Sequence, residues 1–146
     1  MRAFLDANIF VYATGNDKES KLACLSVIDF AESSAGGFVT SAEVMQEVFN
    51  VALRRNQPGR VAQVLQLCVL AIGGKIEPVY GSDVLAAAQL ASGNSSLQAR
   101  DLVHLAVMNR LGIAAIVSSD RAFDRVQGIA RLDPLEFDSW RSSVFA

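Results

Sequence analysis

The sequence predicts an α/β domain of three layers, in which a central parallel sheet is flanked by helices. Short runs rich in apolar residues at positions 3–5, 38–40 and 113–117 are typical of buried strands. Longer segments with apolar residues at helical spacing separate these runs. Because strands that alternate with helices usually pair in parallel, the pattern favours helices on both faces of one sheet.

Length and composition indicate a single domain over residues 1–146. Of the 146 residues, 51% are hydrophobic and 19% are charged, so the chain can bury enough apolar surface to form one core. No apolar run reaches the roughly 18–20 residues that a bilayer span requires. Asp6 interrupts the amino terminus before the roughly 7–15 apolar residues of a secretory signal. We therefore expect a cytoplasmic protein without a membrane partner.

The elements of the first half follow from this pattern in chain order. The run at 3–5 stops at Asp6, which predicts a strand that presents polar groups at its carboxyl end. A helix is predicted over about 18–35, followed by a strand over 38–40. Helices over 41–55 and 60–72 come next, the first with a capping box formed by Thr40 and Glu43.

The second half contains two more helices and two more strands. Residues 76–80 are interpreted as a possible strand interrupted by Pro78, before a helix capped by Ser82 or Asp83. A helix over 97–111 ends at Gly112, and strands are predicted over 113–117 and about 129–132. The strand at 113–117 leads directly into a second polar segment, 118–120.

Four acidic residues occupy positions that this fold brings together. Asp6 and Asp120 follow two predicted strands, whose carboxyl ends meet at one edge of a parallel sheet. Asp101 begins the helix that feeds the second of these strands, and Glu47 lies inside an earlier helix. Clustered carboxylates repel one another unless a cation neutralises them, which indicates a hard divalent metal such as Mg²⁺ or Mn²⁺. The chemistry that fits is metal-assisted hydrolysis of a phosphodiester.

The same segments resemble those of PIN-domain ribonucleases, in particular the VapC-type toxins of toxin-antitoxin modules. The resemblance rests on the segments Phe4-Leu5-Asp6-Ala7-Asn8-Ile9, Gln46-Glu47-Val48, Arg100-Asp101-Leu102-Val103-His104-Leu105-Ala106 and Val117-Ser118-Ser119-Asp120-Arg121-Ala122-Phe123-Asp124. It implies a PIN-like fold and an Mg²⁺-dependent endoribonuclease site, with Mn²⁺ as a possible substitute. It also implies a small antitoxin partner that covers the site, and a homodimer.

The resemblance also implies roles for individual residues. The catalytic acids would be Asp6, Glu47, Asp101 and Asp120, of which the three aspartates would hold the metal. Asn8, Ser118 and Asp124 would support them. At Ser118 the family more often has threonine, but the hydroxyl is retained.

Several of these residues also fit purely structural roles. Asp6 can be a turn residue that binds its own backbone, and Asp101 a favourable charge at a helix start. Asp124 fits a salt bridge with Arg121 or Arg125 as well as it fits the metal site. His104 is interpreted as a satisfied core residue, because it lies in an apolar stripe and hard metals prefer oxygen.

The net charge of −2 neither requires nor excludes a polyanionic substrate. Ten of the 13 basic residues are arginines, the side chain best suited to phosphate. Candidates for RNA contacts, or for ordinary surface, are Arg54, Arg55, Arg60, Arg121 and Arg125. The alternatives to a toxin are a non-catalytic RNA- or protein-binding module and a housekeeping RNA-processing nuclease. A phosphatase with an aspartyl nucleophile is disfavoured, because Asp6-Ala7-Asn8 lacks a second acid.

Overall fold

The computed structural model describes residues 1–145 and contains a four-stranded sheet in the order β2-β1-β3-β4. The strands are short: Ala3–Leu5 (β1), Phe38–Val39 (β2), Ala115–Val117 (β3) and Ala130–Leu132 (β4). All three neighbouring pairs are parallel. The predicted parallel sheet is therefore confirmed, with β1 and β3 side by side at its centre.

The helices occupy the connections between these strands. They are Ala7–Ala13 (α1), Lys18–Ser33 (α2), Ala42–Arg54 (α3), Val61–Ala71 (α4), Gly81–Leu90 (α5), Ala99–Leu111 (α6) and Phe137–Trp140 (α7). From β1 the chain moves to one side to form β2, then crosses back over β1 to form β3. Right-handed crossovers in opposite directions place their helices on opposite faces of the sheet, which gives the predicted three layers.

The secondary structure differs from the predicted elements at helices α1 and α7, which were not predicted, and at residues 76–80. Helix α1 was not predicted, because it is only seven residues long and starts within a segment that looked like a polar strand end. Its buried residues include Ile9 and Phe10, and Asp6 caps its first turn. The possible strand at 76–80 is a single bridge between Ser41 and Glu77, since Pro78 has no N–H to continue a ladder.

The predicted helix caps also needed correction at two places. Ser41, and not Thr40, caps α3, so Glu43 lies one position too early for the predicted capping box. The Thr40 hydroxyl instead donates to the Leu5 carbonyl at 2.9 Å, which ties the ends of β2 and β1 together. Asp83 lies in the first turn of α5 and binds back to the Tyr80 N–H, whereas Ser82 makes no cap.

The two central strands form the middle of the core. Phe4 and Leu5 of β1 and Ile116 and Val117 of β3 are completely buried, in one contiguous apolar cluster with the helices. Complete burial of such a side chain contributes about 1.5–3 kcal/mol, so the ends of β1 and β3 are held firmly. No helix within residues 1–145 is long and apolar enough to cross a membrane.

Candidate active site

The four predicted acids line one cleft at the carboxyl ends of β1 and β3. Its volume is about 190 Å³, and its lining consists of Asp6, Asn8, Glu47, Ser96, Gln98, Arg100, Asp101, Asp120 and Ala122. A larger cavity of about 720 Å³ lies beside the amino ends of β3 and β4, but Arg125 is its single charged lining residue within the described part of the chain. The chemistry therefore belongs to the smaller, acidic cleft.

Asp6 is fixed by hydrogen bonds to both of its carboxylate oxygens. Oδ1 accepts from the Ala7 N–H at 2.7 Å, and Oδ2 accepts from the Ser118 hydroxyl at 2.6 Å and the Asn8 amide at 3.0 Å. The residue is only 4% exposed. Burial raises its pKa, and the nearby Glu47 adds to this effect, although His104 and the Ser118 hydroxyl oppose it. A nearby cation would strongly favour the ionised form of such a buried carboxyl group over the protonated form.

Asn8 and Ser118 connect the ends of the two central strands. The Asn8 amide donates to the Ser118 hydroxyl oxygen at 3.0 Å, and the Asn8 carbonyl oxygen accepts from the Ser119 N–H at 3.1 Å. Ser118 also accepts from the Asp120 N–H at 3.0 Å. One hydroxyl therefore positions both Asp6 and Asp120. Threonine would offer the same donor and acceptor.

Asp101 and Asp120 both lie at helix starts. Asp101 Oδ2 accepts from the Gln98 N–H at 2.9 Å, and Asp120 Oδ1 accepts from the Ala122 N–H at 2.9 Å in a 3₁₀ turn over 121–125. Each bond uses one carboxylate oxygen and fixes the direction of the other. Burial raises the pKa of Asp101, and the Asp120 and Glu47 charges raise it further, against the Gln98 hydrogen bond and His104.

Glu47 enters the cleft from α3 and meets two nitrogen-bearing side chains of α6. Its Oε1 lies 3.3 Å from Arg100 Nε, and its Oε2 lies 3.5 Å from His104 Nε2. Arg100 and His104 are four residues apart and so share one face of the helix. Arg100 is the one basic residue lining the cleft within residues 1–145; the five predicted arginines do not line it. Sequence reasoning missed Arg100.

His104 is buried, as predicted, but it is not a satisfied core residue. Its Nε2 lies 3.8 Å from Asp6 Oδ1 as well as near Glu47, and neither ring nitrogen has a hydrogen-bond partner within residues 1–145. Burial lowers the pKa of His104, but Glu47, Asp6 and Asp101 together raise it above its usual value. The three-residue spacing from Asp101 was the signal that His104 faces the acids.

Asp124 does not line the cleft. It pairs with Arg131 at 2.7 Å, and not with Arg121 or Arg125 through a salt bridge. Arg131 also donates to Asp133 and to the Ser118 carbonyl, both at 3.0 Å. The hydrogen bond from Arg131 lowers the pKa of Asp124. Asp124 therefore helps to anchor the segment after β3, which carries Ser118 and Asp120.

The donor set of this cleft fits a divalent cation. Asp6, Glu47 and His104 each offer a ligand atom, and these atoms lie within 4.8 Å of one another. Asp101 and Asp120 add carboxylates from the other side of the same cleft. Carboxylate oxygens are the ligands of Mg²⁺ and Mn²⁺. Burial is the main cause of the raised pKa of Asp101, and such an ion would relieve the added repulsion from Asp120 and Glu47.

Comparisons with known proteins agree with this arrangement. The PIN domain family model matches residues 3–129. Ribonuclease VapC13 of Mycobacterium tuberculosis is 32% identical over 130 residues, covering 88% of this chain and 97% of the relative. Ribonuclease VapC23 of the same organism is 34% identical over 117 residues, covering 80% and 91%.

Solved structures show the same fold at lower sequence identity. VapBC2 from Rickettsia felis, bound to a DNA fragment from its promoter, matches with a TM-score of 0.67 at 15% identity, covering 90% of this chain and 98% of that one. The sarcin-ricin loop cleaving toxin VapC20 of M. tuberculosis matches with a TM-score of 0.64 at 14% identity, covering 81% and 89%. The chain therefore belongs to the PIN-domain family, among the VapC-type ribonucleases.

Proposed function

We propose that this protein is a metal-dependent endoribonuclease and the toxin component of a type II, VapBC-like toxin-antitoxin system. The observation that carries the proposal is the convergence of four carboxylates, from four separate parts of the chain, in one cleft at the carboxyl edge of the sheet. The family membership supports the same reaction. One domain, residues 1–146, would be sufficient for it, since the described core is a single apolar cluster.

Asp6, Asp101 and Asp120 are the residues that would hold Mg²⁺, with Mn²⁺ as a possible substitute. When bound, such an ion supplies neutralisation of the scissile phosphate and activation of a water molecule. The chain fixes these carboxylates beforehand, through the Ser118 hydroxyl and the backbone N–H groups at the helix starts. Glu47 would accept the proton of the attacking water as the water oxygen bonds to phosphorus. The ribose oxygen that is released when the P–O bond of the RNA breaks would take up a proton from solvent. Asn8 and Ser118 support this geometry.

Arg100 would contact a phosphate of the RNA. Its side chain is 37% exposed and its Nε faces Glu47, so the terminal amino groups of the guanidinium remain for a ligand. Arginine suits this task because its planar group binds phosphate through two parallel hydrogen bonds. Replacing Arg100 with glutamine should weaken RNA binding and reduce its salt dependence, whereas Arg54→Gln, away from the cleft, should have a smaller effect.

The partner would be a small antitoxin that covers the acidic cleft. Solved structures with this fold include a toxin-antitoxin complex from Klebsiella pneumoniae. We expect the antitoxin to insert a basic or arginine-bearing segment, because a guanidinium can neutralise the carboxylates in place of the metal. A complex in which the partner lies wholly away from the carboxyl edge of the sheet would contradict this part of the proposal.

We also propose a cytoplasmic homodimer. Val84 and Leu85 on α5 are 52% and 72% exposed, and burial against a second copy would remove this apolar surface from water. Sedimentation of the wild type and of Leu85→Glu should show a dimer and a monomer, respectively. A wild-type monomer at all concentrations would contradict the dimer without affecting the assignment of the cleft.

The nuclease activity is tested with a mixed RNA pool. The purified protein is incubated with Mg²⁺, Mn²⁺ or a chelator, beside an Asp120→Asn variant, and cut sites are mapped by end sequencing. Asparagine caps a helix start as well as aspartate does, so the variant should remain folded. We expect cuts that require metal and are absent from the variant.

Two results would overturn the proposal in different ways. Cuts that persist in chelator, or that Asp120→Asn retains in full, would place the activity outside the cleft. RNA binding that is equally tight with and without metal, and that leads to no cleavage, would favour the non-catalytic binding module.

A further inference from the structure

Three buried polar atoms beside the acidic cleft have no hydrogen-bond partner within residues 1–145. They are Glu47 Oε2 and both ring nitrogens of His104. Buried polar groups are normally paired, and an unpaired set usually marks a bound water or ion. His104 is completely buried and its Nε2 points at two carboxylates. Glu47 Oε2 and His104 Nε2 are 3.5 Å apart, too far for a good hydrogen bond, and both atoms are therefore available to a shared ion.

The geometry of this group suits a metal ion. Nε2 of His104 lies 3.5 Å from Glu47 Oε2 and 3.8 Å from Asp6 Oδ1. Ligands bound at about 2.0–2.2 Å to a four- to six-coordinate ion lie about 3.0–3.6 Å apart, so small side-chain shifts would bring all three atoms onto one ion. Asp6 and Glu47 both line the cleft, which gives the ion a way in.

We propose that His104 Nε2, Asp6 Oδ1 and Glu47 Oε2 form a transition-metal site, in which the imidazole is a direct ligand. Asp6 would be shared with the site of the three aspartates, and Glu47 would keep Oε1 as the proton acceptor. This inference deepens the proposed function, because it rests on the same cleft and names which ions it selects. Mg²⁺ strongly prefers oxygen ligands, whereas imidazole suits Mn²⁺ less than it suits Co²⁺ and Zn²⁺. The site should therefore bind Zn²⁺ and Co²⁺ more tightly than Mn²⁺, and Mn²⁺ more tightly than Mg²⁺.

The nitrogen ligand can be detected directly, because His104 is the single histidine of the chain. Untagged protein is loaded with Mn²⁺ and studied by pulsed electron paramagnetic resonance. We expect a ¹⁴N coupling of a bound imidazole, which changes to a ¹⁵N coupling when the histidine alone is labelled with ¹⁵N. Bound Mn²⁺ without any histidine coupling would overturn the proposal.

A pair of variants tests the selectivity by calorimetry. His104→Gln removes the nitrogen, and Asp101→Asn removes an oxygen from elsewhere in the cleft. We expect His104→Gln to weaken Zn²⁺ binding by at least about 10- to 100-fold. Loss of a residue that only supports a metal ligand already has an effect of this size, and loss of the ligand itself should cost no less. Mg²⁺ binding should change much less. Asp101→Asn should weaken both ions alike, and unchanged Zn²⁺ binding by a folded His104→Gln would contradict the site.

These readouts separate the inference from the nuclease proposal. Metal-dependent RNA cleavage without histidine coupling would leave the nuclease intact and remove the nitrogen ligand. Histidine coupling without cleavage of any RNA would retain the site and remove the nuclease. Because the spectroscopic test uses the wild-type protein, it does not depend on whether the His104→Gln variant folds.

Discussion

Asp83 and Asp101 have the same local structure but opposite environments. Each lies in the first turn of a helix and binds back to the preceding chain: Asp83 to the Tyr80 N–H at 2.8 Å, and Asp101 to the Gln98 N–H at 2.9 Å. Beyond that shared contact they differ. Asp83 Oδ1 accepts from Arg110 Nε at 2.9 Å, whereas Asp101 lines a cleft with three other acids.

The electrostatics of the two aspartates follow from these neighbours. Hydrogen bonds from Arg110 and Tyr80, together with the Arg110 charge, outweigh burial and lower the pKa of Asp83. Burial, together with the like charges of Asp120 and Glu47, raises the pKa of Asp101. At Asp83 the protein itself supplies the neutralising cation, Arg110, whereas at Asp101 the neighbouring charges are mostly negative and a bound cation would be needed. This difference separates a structural carboxylate from a candidate metal ligand.

The largest expected effect is on catalysis, from Asp101→Asn. The asparagine oxygen can still accept from the Gln98 N–H, so the cap is retained while the charge is lost. We expect RNA cleavage to fall by about 100-fold or more, with a free energy of unfolding no more than about 0.5 kcal/mol below that of the wild type. Single-turnover cleavage in Mg²⁺ and urea unfolding in chelator measure the two quantities. If Asp101→Asn retained cleavage, Asp101 would be a structural residue like Asp83.

Metal should stabilise the protein through the cleft alone. A ligand that binds only the folded state at 100 times its dissociation constant adds about 2.7 kcal/mol. We expect saturating Mg²⁺ or Mn²⁺ to raise the melting temperature of the wild type, and to have much less effect on Asp6→Asn. Asp83→Ala should respond like the wild type, because Asp83 lies outside the cleft. An equal shift in all three proteins would show that metal binds elsewhere.

Removing Asp83 should affect stability and not catalysis. Asp83→Ala leaves Arg110 and the Tyr80 N–H without their partner, and hydrogen bonds to charged groups contribute about 1.5–3 kcal/mol. Arg110 also donates to the Pro78 carbonyl and lies over the Tyr80 ring at 4.7 Å, so part of the contact network remains. We expect a loss of about 2 kcal/mol in unfolding free energy. Cleavage should be unchanged wherever the variant is folded.

The contribution of Asp83 to the free energy of unfolding should depend on pH. Because the pKa of Asp83 is lower in the folded state, its contribution is fully present above the unfolded pKa of about 3.9. The contribution is lost as the pH falls through the lower, folded value. The difference in stability between wild type and Asp83→Ala should therefore be constant from about pH 5 to 7 and shrink below about pH 4. A difference that grows on acidification would contradict the assignment.

The smallest effect is expected at Asp124. Its side chain is 49% exposed and its partner Arg131 keeps Asp133 and the Ser118 carbonyl as further contacts. We expect Asp124→Asn to retain cleavage within about threefold, as for an exposed ion pair. A loss comparable to that of Asp101→Asn would instead make Asp124 part of the catalytic site.

Local patterns were sufficient to predict the strands and the positions of the acids. Asp6 and Asp120 could be located because each directly follows a buried apolar run, and the parallel order of β1 and β3 then brings them together. Asp6 and Asp101 also take part in helix caps, so the structural and the functional interpretations of these two residues are not exclusive.

The sequence could not show contacts that arise only in the folded molecule. Arg131 is seven residues from Asp124 and reaches it only because β4 lies beside β3. Arg100 and His104 meet Glu47 across the interface between α6 and α3, more than fifty residues apart in the chain. Helix α1 was missed because a seven-residue helix offers too little periodicity to distinguish from a polar turn.

The central claim is that the negative charge of Asp101 serves catalysis without adding to stability, while Asp83 serves stability alone. The most direct measurement is the cleavage rate in Mg²⁺ and the unfolding free energy in chelator of Asp101→Asn and Asp83→Ala, taken from the same preparations. The account predicts an inactive, stable Asp101→Asn and an active, destabilised Asp83→Ala. Parallel losses of activity and stability in both variants would contradict it.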